Sequence, residues 1–321
     1  MNRLKLNRPK LNRPKMNRHG RAGGLLALVA VILCFSMGST LVKLSHTHGV
    51  TVAFWRMCLC SLIWWAILWF SEHRWLSWAD LKASLIPGLA FGVNITAFFV
   101  GVTKTSVASA EFTGALTPLL VVPLGAYFFK ERLRPGALAF GAISLIGLAI
   151  VLFNAPPNGE FSWGGIAWIG VALSLWATYL LTSRALRQGR TVAVVMSHIT
   201  PIAALVALPI GLIAFPGELT TFTVRSWVFI GILGVLTGTL AHGLMVFAQK
   251  SVPIGVISML QVSQPALAAL WSVWLLDSSV RAIQILGMAL VILGLIAVTV
   301  QTQRTRTLEL LTSEGELAGA G

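Results

Sequence analysis

Charge is scarce in this chain, and acid scarcest of all. Of 321 residues only 10 are Asp or Glu and 24 are Lys or Arg, together 11%. A soluble protein of this length needs a charged surface that such a composition does not provide. Cysteine is rare too: Cys34, Cys58 and Cys60 lie inside apolar runs, odd in number and without zinc spacing, which excludes a disulfide framework and a structural metal site. They read as small buried hydrophobes. There is no HExxH, no Gly-x-Ser-x-Gly, no carboxylate cluster and no Walker loop, and the stretches between apolar runs are too short for a catalytic domain. An enzyme, an ATP-driven machine and a resident cofactor or metal are therefore not expected.

What is abundant is apolar sequence. Hydrophobic residues make up 56% of the chain and twelve are Trp; the mean hydropathy is +0.82. At about 1.5 Å rise per residue, a run of about 20 residues crosses a hydrocarbon core about 30 Å thick. Such runs fall at residues 24–43, 51–70, 83–102, 105–129 and 136–154, then at 164–182, 194–215, 227–248, 254–276 and 282–301. The expected fold is an all-α polytopic membrane protein with ten transmembrane helices. No small-residue cleavage site follows the first run, so it reads as a retained span.

The cations orient these spans. The net charge of +14 does not point to nucleic acid, because eight of the 24 basic residues sit in the first 21, in an acid-free, proline-punctuated arm, "KLNRPKLNRPKMNRHGR". With the N-terminus inside, 19 Lys and Arg fall on the cytoplasmic side and four outside, as the positive-inside rule requires. Both termini are then expected in the cytoplasm of a cell whose inner membrane holds the protein, with the basic arm at the anionic lipid surface.

The halves resemble each other. "TVA" at 51–53 recurs at 191–193; Gly88 and Gly92 recur as Gly234 and Gly238, Lys104 as Lys250, Pro118 as Pro265 and Gly147 as Gly294. Five spans per half is an odd number, so the second half must enter the membrane inverted, and inverted repeats can rock about a central site. The chain divides into a disordered basic tail (1–23), a first five-helix repeat (24–154), a second (155–301) and a short cytoplasmic tail (302–321). The Gly pairs form small-xxx-small faces for close helix packing.

Ionisable and amide groups within spans are the candidate site, since each is costly in lipid unless it faces a cavity or a partner. Arg56 and Glu111 both lie about 7 to 9 Å from the outer end of their spans, so they form an ion pair or a shared polar site facing a cavity, or else reach the interface separately. His198 and His242 lie at similar depth on the inner side and could relay protons, or be neutral and satisfied by a helix–helix hydrogen bond. Asn94, Gln261 and Gln264 fall near the midplane, the two Gln on one helical face with Ser258. Amides suit an uncharged or zwitterionic solute and serve equally as interhelical glue. Glu111, Gly114 and Pro118 share a face, and Pro118 frees the Gly114 carbonyl. Trp64, Trp65 and Trp176 could line a cavity, Glu131 and Asp277 cap helix ends, and His46 and His48 read as solvated loop residues without a nearby acid.

The stretches "TSVASAEFTGALTPLLVVPLGAYFFKERL" and "GAISLIGLAIVLF", with "SVPIGVISMLQVSQPALAALWSVWLLD" and "LGMALVILGLIAV", resemble the drug/metabolite transporter superfamily, in particular proteins with two EamA-type domains. The match covers roughly residues 24–301. It departs from the family in the first span, where Met37-Gly38 stands for a common Trp-Gly, and in a Gly141–Gly147 spacing one shorter than Gly287–Gly294. The resemblance implies a ten-helix secondary transporter for a small organic solute such as an amino acid, often an exporter, with Glu111, His198 and His242 as candidates for proton coupling. A passive channel and a non-transporting scaffold or receptor are the competing readings. The partners expected are a small solute and the bilayer, with oligomeric state left open.

Overall fold

The computed structural model describes residues 18–117, 119–120, 135–155, 161–252, 257 and 260–318. Among the described residues the regular structure is helical. In chain order the helices are α1 (Arg18–Ser36), α2 (Gly38–Leu44), α3 (Gly49–Glu72), α4 (Trp78–Ala83), α5 (Leu85–Lys104), α6 (Val107–Gly114), α7 (Pro135–Phe153), α8 (Trp163–Arg187), α9 (Val192–Ala214) and α10 (Val224–Leu233). A π-helical segment, Gly234–Ala241, leads into α11 (His242–Ala248), and α12 (Gln264–Leu276) and α13 (Ala282–Ala318) follow.

Among the described residues six stretches are long and apolar enough to cross a bilayer: Ala22–Leu44, Gly49–Glu72, Leu85–Lys104, Trp163–Arg187, Val192–Ala214 and Val224–Ala248. Three more apolar helices are shorter, Leu138–Phe153, Gln264–Leu276 and Ala282–Val298. This is a polytopic helical membrane protein. The expected span 105–129 is described through α6 and as far as residue 120, and its remainder, like Pro118, Glu131 and Ser258, lies outside the described residues. The first span differs from a plain helix: it breaks at Met37, between α1 and α2. The eighth changes to a wider π-helical turn at Gly234.

Helix starts follow local chemistry. Ser106, Ser162, Thr191 and Thr223 stand before α6, α8, α9 and α10 in extended backbone, and each side-chain oxygen accepts a backbone N–H from the first turn. That satisfies an N–H the helix itself leaves open. Outward faces are apolar, with Phe70, Leu205, Ile213, Leu240, Leu270 and Leu293 exposed, as a lipid solvent permits.

Packing exchanges partners between the two halves of the chain. A Cβ on Gly92 would stand 2.7 Å from Val206 Cβ and 2.9 Å from Ala203 Cα, so α5 lies directly against α9. A Cβ on Gly238 would stand 2.3 Å from Cys60 Sγ, so the π segment lies equally close to α3. Each recurrent Gly pair thus lets its helix pack closely on a helix from the other half of the chain, α5 on α9 and the π segment on α3. α7 and α13 cross where Gly147 and Gly287 face each other's carbonyls.

Polar ties join the halves at both ends of the bundle. At one end Arg190 Nε meets Asp80 Oδ1 at 2.7 Å, Arg74 Nη2 meets Asp80 Oδ2 at 3.0 Å, and Thr191 donates to Glu72. Partial burial acts to raise the Asp80 carboxyl, but hydrogen bonds and charge from Arg190 and Arg74 prevail and hold it below its ordinary value. At the other end Thr51 Oγ1 donates to the Glu218 carbonyl at 2.5 Å, Trp55 Nε1 to Leu219 O at 2.9 Å, and Arg225 Nε to Leu44 O at 2.8 Å. The threonines of the two "TVA" stretches therefore have matching duties. His48, expected to lack an acid, meets Glu218 at 3.3 Å because the tie brings that residue across from the other half.

Gly92→Ala should lower the thermal midpoint in detergent by the equivalent of about 1 to 3 kcal/mol, since the new methyl meets backbone at 2.9 Å. Gly170→Ala, with open space at that position, should leave it unchanged, and equal midpoints for both variants would contradict the packing described.

Candidate functional site

A cavity of about 150 Å³ lies inside the bundle, lined from both halves. Its polar lining includes Arg56, Asn94, Glu111, Thr117, Thr237, His242, Gln261 and Gln264, and its apolar walls include Phe35, Phe98, Phe99 and Trp176. An apolar cavity of about this size holds benzene, so the space suits a solute of about six to eight heavy atoms.

Glu111 is held by two donors. It projects from α6 and is 3% exposed. Ser39 Oγ donates to one carboxyl oxygen, and Gln264 Nε2 donates to the other at 3.2 Å. Ser39 reaches it from the first turn of α2, directly after the break at Met37; Gln264 opens α12. Three elements distant in sequence thus converge on one buried carboxyl. Gly114, one turn along α6, leaves space beside it, and its carbonyl accepts Thr117 Oγ1 at 3.0 Å. That bond answers the expectation of an open carbonyl ahead of Pro118.

Arg56 occupies another part of the same lining and is 1% exposed. Its Nε donates to Leu233 O at 3.2 Å and its guanidinium lies 5.2 Å from the Phe99 ring centroid. The Leu233 carbonyl is available because the helix widens into the π segment at this point, and Thr237 Oγ1 also donates to it, at 2.9 Å. Gly238 completes the arrangement, for a Cβ there would lie 3.2 Å from Arg56 Nε. Among the described residues no ion pair joins Arg56 to Glu111. The two share a cavity, as one of the expected arrangements had it, without the direct contact.

Asn94 Nδ2 donates to Ala172 O at 2.7 Å, tying α5 to α8 while its side chain faces the cavity. The glue reading and the solute reading therefore coexist at one residue. Gln261 and Gln264 line the cavity together, as their spacing predicts, and Pro265 stands beside them.

The two histidines part company. His242 lies in the lining with its ring packed against Phe35 and Phe91 at centroid distances of 4.7 and 4.6 Å, and Trp176 and Tyr179 each 6.0 Å away. Its Nδ1 is buried without a hydrogen-bond partner. His198 lies away from the cavity. Its Nε2 accepts the Ser77 backbone N–H at 3.1 Å, which leaves Nδ1 to donate to Val194 O at 2.7 Å. Both nitrogens are committed, so His198 serves as a structural tie between α9 and the turn before α4.

Some residues escaped the sequence reading. Ser39, Thr237 and Tyr179 are small or weakly polar groups in apolar helices, where many equivalents merely bond their own backbone. Of the tryptophans considered for the cavity, Trp176 lines it; Trp64 packs against Gly243 instead, and Trp65 Nε1 donates to Ser197 O at 3.0 Å. That carbonyl lacks its helical partner because Pro201 has no N–H to offer.

A helical bundle of bilayer length, apolar outside and sheltering a polar and aromatic cavity, defines a polytopic membrane protein with an internal solute-sized site. The chain belongs to the EamA-like transporter family, whose model matches residues 22–153 and again 163–300. It is 26% identical over 289 residues to the threonine/homoserine exporter RhtA of Salmonella typhimurium, covering 87% of this chain and 91% of that one. An uncharacterized transporter of Helicobacter pylori is 24% identical over 282 residues, covering 84% and 92%. A solved crystal structure superposes with a TM-score of 0.63 at 20% identity over 88% of this chain and 99% of that one, a likeness of fold. These relatives are named as transporters, not enzymes.

Ser39→Ala removes one of the two donors to Glu111 and should cost about 1 to 3 kcal/mol of stability. In a Glu111→Gln background the same change should cost less, and strictly additive effects on the thermal midpoint would contradict the pairing.

Proposed function

We propose that the chain is a secondary transporter that carries a small organic metabolite by alternating access, in the export direction, through the cavity between its halves. The observation that carries this reading is the cavity itself: a space of about 150 Å³ that combines Glu111, Asn94, Gln261 and Gln264 with aromatic walls, deep within helices of bilayer length. The paired family matches support reading the fold as ten spans in two inverted five-helix repeats, residues 24–154 and 155–301. So do the exchanged Gly contacts and the matching ties of Thr51 and Thr191. Two such repeats rock against each other about a site held between them, exposing it to each side in turn.

An amino acid or similarly sized solute fits the space, and the threonine/homoserine exporters among the relatives favour that class. The inner membrane of a bacterial cell, with both termini in the cytoplasm, agrees with the charge distribution and with the bacterial relatives. Glu111 is the residue best suited to couple protons, being a carboxyl in the lining whose donors, Ser39 and Gln264, come from separate elements and can part as the halves move. His242 is the second candidate. His198, engaged at both nitrogens, is assigned no part in coupling.

Reconstituted protein should mediate saturable uptake of labelled threonine or a related solute into liposomes, accelerated by the same unlabelled solute on the far side. Glu111→Gln should fold yet lose about ten-fold or more of that flux, the scale of one charge-assisted hydrogen bond. Unsaturable, ohmic conduction would identify a channel instead, and absence of flux across the solute panel a scaffold or receptor.

A further inference from the structure

Three buried polar groups, on Arg56 and His242 in the cavity lining and on Tyr179 packed behind His242, lack the partners that lipid-buried groups require. Arg56 Nη1, Tyr179 Oη and His242 Nδ1 are each shielded from solvent without a hydrogen-bond partner. All three residues are 2% exposed or less. His242 and Tyr179 have ring centroids 6.0 Å apart, and His242 and Arg56 line the same cavity. The ion pairs among the described residues join His48 with Glu218, Arg74 with Glu72 and Asp80, and Arg190 with Asp80, and none includes Arg56. A guanidinium cannot shed its charge to escape this environment, so it needs an anion.

The surroundings select the kind of anion. Phe99 lies over the guanidinium at 5.2 Å, and Phe35, Phe91 and Trp176 surround His242, so the anion that suits these walls is a flat, singly charged group with an organic body. A carboxylate matches the guanidinium fork with two parallel N–H···O bonds, and a phenol O–H and an imidazole N–H can donate to the same oxygens. Elsewhere in the same lining, Glu111 already has donors in Ser39 and Gln264.

We propose that Arg56, Tyr179 and His242 form a carboxylate subsite, and that the solute is a small organic acid or zwitterion whose carboxylate lies there while the rest of the molecule faces Glu111 and the amides. This assignment rests on the transport reading and narrows it to one chemical class and one orientation. The partner that completes the buried cation is then the cargo, so the cavity is electrostatically satisfied only when loaded.

The test measures equilibrium binding to the purified full chain in lipid nanodiscs. The probes are L-threonine, L-leucine and lactate, each beside its methyl ester and its alcohol, with sodium chloride titrated separately. At least one acid should bind about 10- to 100-fold more tightly than its ester and alcohol, the scale of losing hydrogen bonds to a charged group. Tyr179→Phe, which keeps shape and deletes only the orphan hydroxyl, should raise the thermal midpoint of the unliganded protein while weakening the acid several-fold and leaving the ester unchanged. Arg56→Lys should abolish the discrimination between acid and ester.

Equal binding of acid, ester and alcohol would overturn the subsite, as would failure of folded wild-type protein to bind any acid in the panel. Saturable chloride binding that no acid displaces would assign the site to an inorganic anion and refute the cargo assignment. Acid binding without flux in liposomes would sink the transport reading and leave the carboxylate subsite standing.

Discussion

A carboxyl buried about one turn into α6, inside a membrane bundle, must be given donors, and the bonds that Ser39 and Gln264 make to Glu111 set conditions that the surrounding fold has to meet. An ionisable group at such depth costs about 2.5 to 3.5 kcal/mol on insertion scales if nothing receives it. Ser39 reaches the carboxyl because the first span breaks at Met37 and restarts; Gln264 reaches it because α12 begins there. Gly114 keeps the neighbouring turn open. The helix starts at Gly38 and Gln264 are the means by which one acid is housed.

The same constraint, that polar groups out of water must find one another, explains features far from the cavity. Pro201 leaves the Ser197 carbonyl without a helical partner and Trp65 supplies one. His198 joins the Ser77 amide to the Val194 carbonyl. The π segment opens the Leu233 carbonyl, and Arg56 and Thr237 take it. At the two ends of the bundle the ties between halves use charge and hydroxyl groups, where water can exchange with them; deep inside, close packing on Gly92 and Gly238 stands beside the fewer bonds from Gln264 to Glu111, Arg56 to Leu233 and Asn94 to Ala172.

Much of this was legible in the sequence because hydropathy and helix rise report height. The apolar runs located the described helices, and depth along them put Arg56 and Glu111 at one level and Asn94, Gln261 and Gln264 at another nearer the midplane; the recurrent glycines marked two of the closest crossings. Height says nothing of direction around the bundle axis. Arg56 and Glu111 share a level yet are joined to different partners, and His198 and His242, equally deep, face a structural tie and a cavity respectively. Ser39 and Tyr179 carried no signal, since hydroxyls are frequent in membrane helices and usually bond their own backbone. The break at Met37 and the π turn at Gly234 arise without proline, from tertiary demands that a single sequence does not display.

The proposed function rests on a cavity that both halves line. Gly114 offers a direct probe, because a Cβ there meets nothing nearer than 3.6 Å and the residue lines the cavity. With the three native cysteines replaced by alanine, Gly114→Cys would be exposed in intact liposomes to a membrane-impermeant maleimide from each side in turn. Alternating access at this cavity predicts labelling from both sides and slower labelling from both when a transported solute is present at saturation. Labelling confined to one side, or indifferent to the solute, would contradict it.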